Sequence, residues 1–226
     1  MQRLLLAALI ATFGSVGAHA STITYDVRAI TGSGTPAPTS TYATDWAAQT
    51  SSISVENLSN FNGAYGSNSG YDRLTVDFSV SAAYAGATAF FELAPDAGYG
   101  GELYLDGVLL DQKTYDLWWG GNWNATSQIL GDNSVALSAG NHELQAYWAE
   151  NCCNGAEGGR FSLNGQTWQD LSVANLNTLA AVPEPGTVAI LGLGLAGLMV
   201  SRRRQGNANG RGSAAAIGFT NCPSPA

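Results

Sequence analysis

The chain has 226 residues, 45% of them hydrophobic and 12% charged, with a formal net charge of −8. An acidic surface repels nucleic-acid phosphates, which excludes nucleic acid as a partner. There are three cysteines, Cys152, Cys153 and Cys222, too few for a multi-disulfide scaffold.

At the amino end, Gln2-Arg3 precedes the apolar run Leu4 to Phe13 and then Ala18-His19-Ala20. A basic start, an apolar run and an Ala-x-Ala site predict a signal peptide over residues 1–20, with Ser21 opening the mature chain. Residues 21–181 then make one domain with enough chain for a sizeable core. That stretch holds four basic and sixteen acidic side chains, net −12. Such a surface keeps an exported protein soluble, or draws divalent cations.

Ile23, Tyr25 and Val27 alternate and predict a first strand. Gly32 to Ser40 is a Gly-, Pro-, Thr- and Ser-rich loop. Thr41 to Ala48 is ambiguous, because Tyr42 and Trp46 lie four apart but the segment is short for a helix. Ile53 and Val55 mark a short strand, and Asn57 to Gly70 a polar loop. Leu74, Val76, Phe78 and Val80 give the clearest strand, with Arg73, Thr75 and Asp77 on its outer face. Ala87, Ala89, Phe91 and Leu93 repeat the pattern. Pro95 to Gly101 is a turn-rich loop. Glu102 to Leu105 and Val108 to Leu110 flank Asp106-Gly107, a tight-hairpin pair. Tyr115 to Thr126 is an aromatic loop. Val135 and Leu137 begin a strand, Ala139-Gly140-Asn141 turns, and His142 to Glu150 alternates again. Arg160 to Leu163, Asn164-Gly165 and Gln166 to Trp168 make a last hairpin-like unit. Leu171 to Ala181 closes the domain and begins a linker. Short strands between Gly-rich turns predict an all-β fold, a β-sandwich or jelly roll, flanked by the signal peptide and a C-terminal hydrophobic sorting helix.

Few side chains stand out for chemistry. Trp118, Trp119 and Trp123 lie among glycines and asparagines, and exposed indole faces stack on sugar rings; the alternative is that they pin the loop to the sandwich. Tyr99 and Tyr115 would complete a shallow aromatic surface. Asp96, in an irregular loop at a strand end, is a candidate ligand-binding carboxylate. His142 is a candidate base or, more simply, a core histidine at a strand start. Cys152 and Cys153 are candidate structural cysteines. Their Cα atoms lie about 3.8 Å apart, below the usual disulfide span, so a vicinal bond needs an unusual turn; packed thiols are the other reading. Phosphate-loop, dinucleotide and helical zinc-hydrolase patterns are absent from the sequence. No catalytic residue and no cofactor are assigned.

The carboxyl end is the most specific stretch. Val182-Pro183-Glu184-Pro185 breaks the chain, because each proline lacks an N–H and fixes φ. Gly186 to Val200 is apolar or small except for Thr187, and Arg202-Arg203-Arg204 follows. As a helix the run rises about 22 Å against a hydrocarbon core of about 30 Å, short for a stable span. The arginines favour the cytoplasmic side.

Residues 182–204 resemble the PEP-CTERM sorting signal of Gram-negative bacteria. The resemblance implies an exosortase that recognises and cleaves the tail at the inner membrane. It also implies a transiently anchored protein that ends at the cell surface or outside, alongside exopolysaccharide. Gln205 to Ala226 is an atypical low-complexity extension beyond that signal. Asn151-Cys152-Cys153-Asn154-Gly155 resembles the signature of a Cys-Cys-x-Gly group of PEP-CTERM proteins. Glu102-Leu103-Tyr104-Leu105-Asp106-Gly107, with Leu137 to Leu144, resembles part of a PA14-like β-sandwich, a class that includes glycan-binding modules. Some of its members hold calcium through adjacent aspartates. Here the pair is Pro95-Asp96, so calcium lacks the paired-aspartate motif and the metal is left unknown. The expected function is a non-catalytic surface or matrix protein contacting extracellular polysaccharide. The alternatives are a structural or protein-interaction module that meets matrix proteins, and a secreted glycoside hydrolase.

Overall fold

The structure is a computed structural model that describes residues 19–180 except 36–38, 67, 132 and 154. Most of the expected leader, the sorting segment 182–204 with its Pro-Glu-Pro and arginine residues, and the extension 205–226 with Cys222 lie outside the described residues.

Alternation in the sequence becomes two antiparallel sheets facing each other across one core. In chain order the strands are β1 (Thr22–Ala29), β2 (Ser52–Asn57), β3 (Gly70–Val80), β4 (Thr88–Ala94), β5 (Asp96–Ala97) and β6 (Gly100–Leu105). There follow β7 (Val108–Lys113), β8 (Leu117–Trp118), β9 (Ser134–Ala136), β10 (Gly140–Glu150), β11 (Gly158–Leu163) and β12 (Gln169–Asp170). One sheet has the order β2-β1-β3-β10-β6-β7, the other β12-β11-β4-β9, and β5 pairs with β8 as a separate ribbon. Inward positions from β1 (Ile23, Tyr25, Val27), β3 (Leu74, Val76, Phe78, Val80) and β10 (Leu144, Ala146, Trp148) meet Ala89, Phe91, Leu93 and Phe161 of the smaller sheet. Their rings interlock: Tyr25 stacks on Trp148 at 5.6 Å and Phe78 tilts onto Phe91 at 5.8 Å. An all-β sandwich is therefore the fold.

Both predicted tight turns form. Asp106 and Gly107 have φ of 51° and 76°, and Asn164 and Gly165 have φ of 53° and 66°. Two consecutive left-handed residues match the right-handed twist of a hairpin. The second hairpin pairs later than expected, through Gln169–Asp170 rather than Gln166 to Trp168.

Two short helices depart from the sequence reading. Tyr42–Ala48 is a helix, α1, capped by the Thr41 side chain, which accepts from the Thr44 N–H at 3.1 Å. Tyr42 and Trp46, four apart, share one face and join Tyr71, Tyr147 and Ala149 in a second cluster outside the larger sheet. That cluster covers part of the outer face of β3, so Arg73 is half-buried rather than open to water. The Arg28 and Arg73 guanidiniums lie 3.5 and 3.8 Å from the Trp46 ring centroid, a cation–π sandwich. Val173–Ala180, expected as the start of a linker, is a second helix, α2, whose Leu176 and Leu179 are buried in the main core. Ser172 caps it, accepting from the Asn175 N–H at 3.2 Å. Among the described residues no helix is long and apolar enough to cross a membrane.

Candidate ligand-binding site

The β5–β8 ribbon decides which aromatic faces water. Ala97 pairs with Leu117 and Asp96 with Trp118. Successive strand residues point to opposite sides. Ala97 and Leu117 go into the core, both 0% exposed, so their neighbours turn outward and Trp118 is 69% exposed. The Trp118 main-chain N–H donates to the Gln128 side-chain carbonyl, which fixes the ribbon to the following turn.

Asp96 sits beside Trp118 and under the cysteine loop. Its carboxylate accepts the Gly155 N–H, and its own N–H donates to Glu157 Oε2 at 2.9 Å. Partial burial raises the Asp96 pKa; the Gly155 N–H opposes this and the Asp116 charge adds to it. Glu150 holds the other side of the loop. Its carboxylate accepts N–H groups from Gly98 at 3.0 Å and from Asn151 and Cys152 at 2.7 Å. Burial raises the Glu150 pKa, and those three N–H groups pull it back. Glu157 is deeper still, and burial followed by the Asp72 charge drives its pKa well up. The loop 151–157 is thus tied to the sheet ends by carboxylates that accept main-chain N–H groups. Gly98 leaves room for this: a Cβ there would lie 2.3 Å from Asn151 Oδ1.

The other sequence-predicted residues are distributed differently. Trp119 and Trp123 are half-buried, their ring centroids 4.6 Å apart. They cover Gly158, where a Cβ would lie 2.9 Å from the Trp119 ring. The Arg160 guanidinium lies between Trp123 at 4.3 Å and Trp168 at 4.1 Å, and pairs with Glu92 at 2.6 Å. These two tryptophans therefore pin the loop onto β11. Tyr99 is half-buried on the outer cluster, and its ring fills the space a Cβ on Gly34 would need. Tyr115 is 49% exposed and donates to the Ser127 carbonyl at 3.0 Å. Cys152 and Cys153 are exposed, with sulfurs 2.7 Å apart. The Cys152 thiol is pushed up to about 11, first by its hydrogen bond to Cys153 and further by the Glu150 and Asp96 charges.

Sequence reasoning missed Glu150 and Glu157 as the loop's anchors, and missed Asp72 beneath them. Asp72 is fully buried, and Tyr25 donates to its Oδ1 at 2.6 Å. One signal was present: Asp72 stands two residues before Leu74, in phase with the inward face of β3.

The side chains at Pro95-Asp96 do not fit a calcium site. Pro95 offers no carboxylate, so Asp96 stands without the adjacent carboxylate that a paired-aspartate site requires. Among the described residues no three His, Cys, Asp or Glu side chains converge as metal ligands.

The far end of β3, roughly 20 Å from Asp72 at about 3.3 Å per residue, carries a hollow of about 320 Å³. His19, Ala20, Thr22, Ser79, Asn141 and His142 are among its walls. His19 and Ala20 belong to the expected leader, so part of this wall leaves on the expected cleavage. His142 brings Asp106 and Ser138 together, but not as a nucleophile site. Its Nδ1 lies 2.7 Å from Asp106 Oδ2, and Nε2 lies 3.0 Å from the Ser138 carbonyl and 3.5 Å from its hydroxyl. The Ser138 hydroxyl is the more distant of the two, beyond the about 2.6–3.2 Å of a nucleophile–base hydrogen bond. His142 is a core histidine that ties the β6–β7 turn to β10.

Residues 181–204 match the PEP-CTERM protein-sorting motif. Similar solved structures include a PA14 sugar-binding domain from an RTX adhesin, 10% identical, covering 69% of this chain and 97% of that one, TM-score 0.48. Another is the PA14 domain of the MpAFP antifreeze protein, 13% identical, covering 70% and 90%, TM-score 0.47. A third is the epithelial adhesin 9 A domain from Candida glabrata in complex with Galb1-4GlcNAc, 8% identical, covering 68% and 88%, TM-score 0.43. No curated protein matches this chain in sequence.

Proposed function

We propose that this exported, sorted protein is a non-catalytic component of the cell surface or extracellular matrix. It contacts exopolysaccharide through the end of the sandwich that presents Trp118. The PEP-CTERM motif carries the export and sorting half of this reading; processing by an exosortase at the inner membrane would release the domain. Trp118 carries the binding half. It is the most exposed large hydrophobic side chain among the described residues, and strand alternation against the buried Leu117 holds it outward. A fixed, exposed indole offers a sugar ring a large apolar face. Asp96 beside it, and the exposed Asn151 on the loop that Glu150 anchors, supply polar groups for hydroxyls.

Trp118→Ala tests this. Because the ring is exposed, stability is expected to change by no more than about 0.5 kcal/mol. Retention on the host's own exopolysaccharide is expected to weaken by about 2 kcal/mol, roughly thirtyfold, in a pull-down with calcium or chelator. Equal retention by variant and wild type would sink the assignment of Trp118. No retention of the folded wild-type protein in either condition would sink polysaccharide binding altogether.

A structural or protein-interaction module is the second reading. It is favoured by the sheet edges, where Ile53 and Val55 of β2 and Val108 and Leu109 of β7 are exposed. Protein neighbours found by cross-linking on intact cells, lost on Ile53→Lys, would support it. A secreted glycoside hydrolase is disfavoured by the carboxylates themselves. Glu150 and Glu157 are buried and accept main-chain N–H groups, whereas glycoside cleavage needs two carboxyls facing the substrate.

A further inference from the structure

We propose that Cys152 and Cys153 close a vicinal disulfide in the exported protein, and that this ring holds the loop that crosses Asp96. Three observations converge. The two sulfurs lie 2.7 Å apart, far closer than unbonded sulfurs rest and not far beyond a bonded pair at about 2.05 Å. Cys153 has φ of 61°, a left-handed conformation that is uncommon for a non-glycine residue. It supplies the unusual turn that adjacent cysteines require. The backbone on both sides is fixed independently of the sulfurs, by Glu150 on the Asn151 and Cys152 N–H groups and by Asp96 on the Gly155 N–H. Glu150 is 3% exposed, so its anchorage belongs to the sheet end rather than to the loop.

Both cysteines are exposed, so an external oxidant reaches them. The oxidant is a disulfide RSSR of the exported compartment, where disulfides persist. One thiolate of the pair attacks RSSR, forming a mixed disulfide and expelling RS⁻. The neighbouring thiolate then attacks the cysteine sulfur of that mixed disulfide, forming the Cys152–Cys153 bond and expelling the second RS⁻. The two thiol protons pass through solvent to the released thiolates. The pair is oxidised by two electrons and RSSR becomes two RSH. Ring closure then fixes Cys153 in its left-handed turn and keeps the Gly155 N–H on Asp96. The bond forms whatever the end of the sandwich binds.

The test uses the full chain, exported by its host and collected without reductant. Free thiols are blocked at once with iodoacetamide, and the protein is cut with trypsin. No lysine or arginine lies between Lys113 and Arg160, so one peptide, Thr114 to Arg160, holds both cysteines. The expected peptide is unalkylated, lighter than the dithiol by two hydrogens, and takes up two alkyl groups only after reduction. Two alkyl groups without reductant, or a cross-link to Cys222 or to another chain, would overturn the bond. Hydrogen exchange of the same protein tests the second clause. Reduction is expected to speed exchange at the Cys152 and Gly155 amides severalfold, and unchanged rates would overturn the ring's hold on the loop.

Discussion

Gly131→Ala is expected to abolish the fold or to cost more than about 4 kcal/mol, a large share of the about 5–15 kcal/mol that holds a domain together. Gly131 has φ of 112°, and a Cβ there would lie 1.8 Å from the Phe91 carbonyl oxygen and 3.1 Å from Leu103 Cδ2. The neighbouring backbone has little freedom to yield. Leu93 and Leu130 exchange both main-chain hydrogen bonds, at 2.9 and 2.7 Å, and Asp111 holds the Gly131 N–H at 2.9 Å. Asp111 is itself paired with Lys113 at 2.9 Å. Gly121→Ala separates the two causes. Gly121 also has positive φ, 78°, but no atom lies within 4 Å of its added Cβ. It should lose about 1 kcal/mol, from backbone strain alone. Urea denaturation of both variants and the wild type measures the difference. Equal losses would mean that the clash with Phe91 is relieved and that the bridge to Leu130 is soft.

Asp72→Asn is expected to stabilise the protein above neutral pH while leaving it no better, or worse, in acid. Burial, the largest cause, raises the Asp72 carboxyl from 3.8 to about 7; the Tyr25 hydrogen bond opposes this, and the Glu150 and Asp26 charges add to it. The folded state therefore keeps its proton where the unfolded chain has released it. Below about pH 4 both states are protonated and the contribution to stability is whole. From about pH 4 to about 7 it is progressively lost, up to about 4 kcal/mol for a shift of this size. The amide has no proton to lose, and the Tyr25 hydroxyl still donates to its oxygen. Its NH₂ takes the place of Oδ2, which has no hydrogen-bond partner, and an unsatisfied donor there costs about 1–3 kcal/mol. The net gain near pH 8 is about 1–2 kcal/mol, and the two stability curves cross between pH 4 and 7. Glu150 and Glu157 carry shifts of the same sign, so the variant flattens the pH dependence without removing it. A variant less stable than wild type at pH 8 would show that Asp72 is held ionised by its surroundings.

These two positions frame the candidate site from below. Gly131 lets the chain pass closely over β4, and Leu130 bridges to Leu93 just before Pro95-Asp96 leaves the sheet. Asp72, Glu150 and Glu157 form an acidic layer under the cysteines. The layer is a source of instability at high pH, and its two glutamates also supply the acceptors that shape the loop.

How far the sequence reached depended on how local each cause was. Alternation along Leu74, Val76, Phe78 and Val80 depends on a two-residue period, and it located β3 and its buried face. Asp106-Gly107 and Asn164-Gly165 specify positive φ within two residues, and both turns formed. The Pro-Glu-Pro break, apolar run and arginines of residues 182–204 are likewise contiguous, and they marked the chain for export and sorting. The helices were within reach: Thr41 and Ser172 stand as caps before Tyr42/Trp46 and Leu176/Leu179, but each run is too short for its period to stand out. The candidate site was not within reach. Trp118, Trp119 and Trp123 are equivalent in composition; only the pairing of Leu117–Trp118 with Asp96–Ala97, about twenty residues earlier, turns one outward and leaves the others on Gly158 and Arg160. The burial of Asp72, Glu150 and Glu157 was also decided in three dimensions: Tyr25 and Asp96, each more than forty residues away, donate to Asp72 and Glu157, and distant Gly98 joins the neighbouring Asn151 and Cys152 N–H groups on Glu150. The sequence by itself determined where the long strands and the two tight turns form and that the chain is exported and sorted, whereas β5 and β8 formed in stretches read as loops. The tertiary structure alone decided which polar groups are buried and which ring meets the solvent, because burial and facing are set by partners distant along the chain.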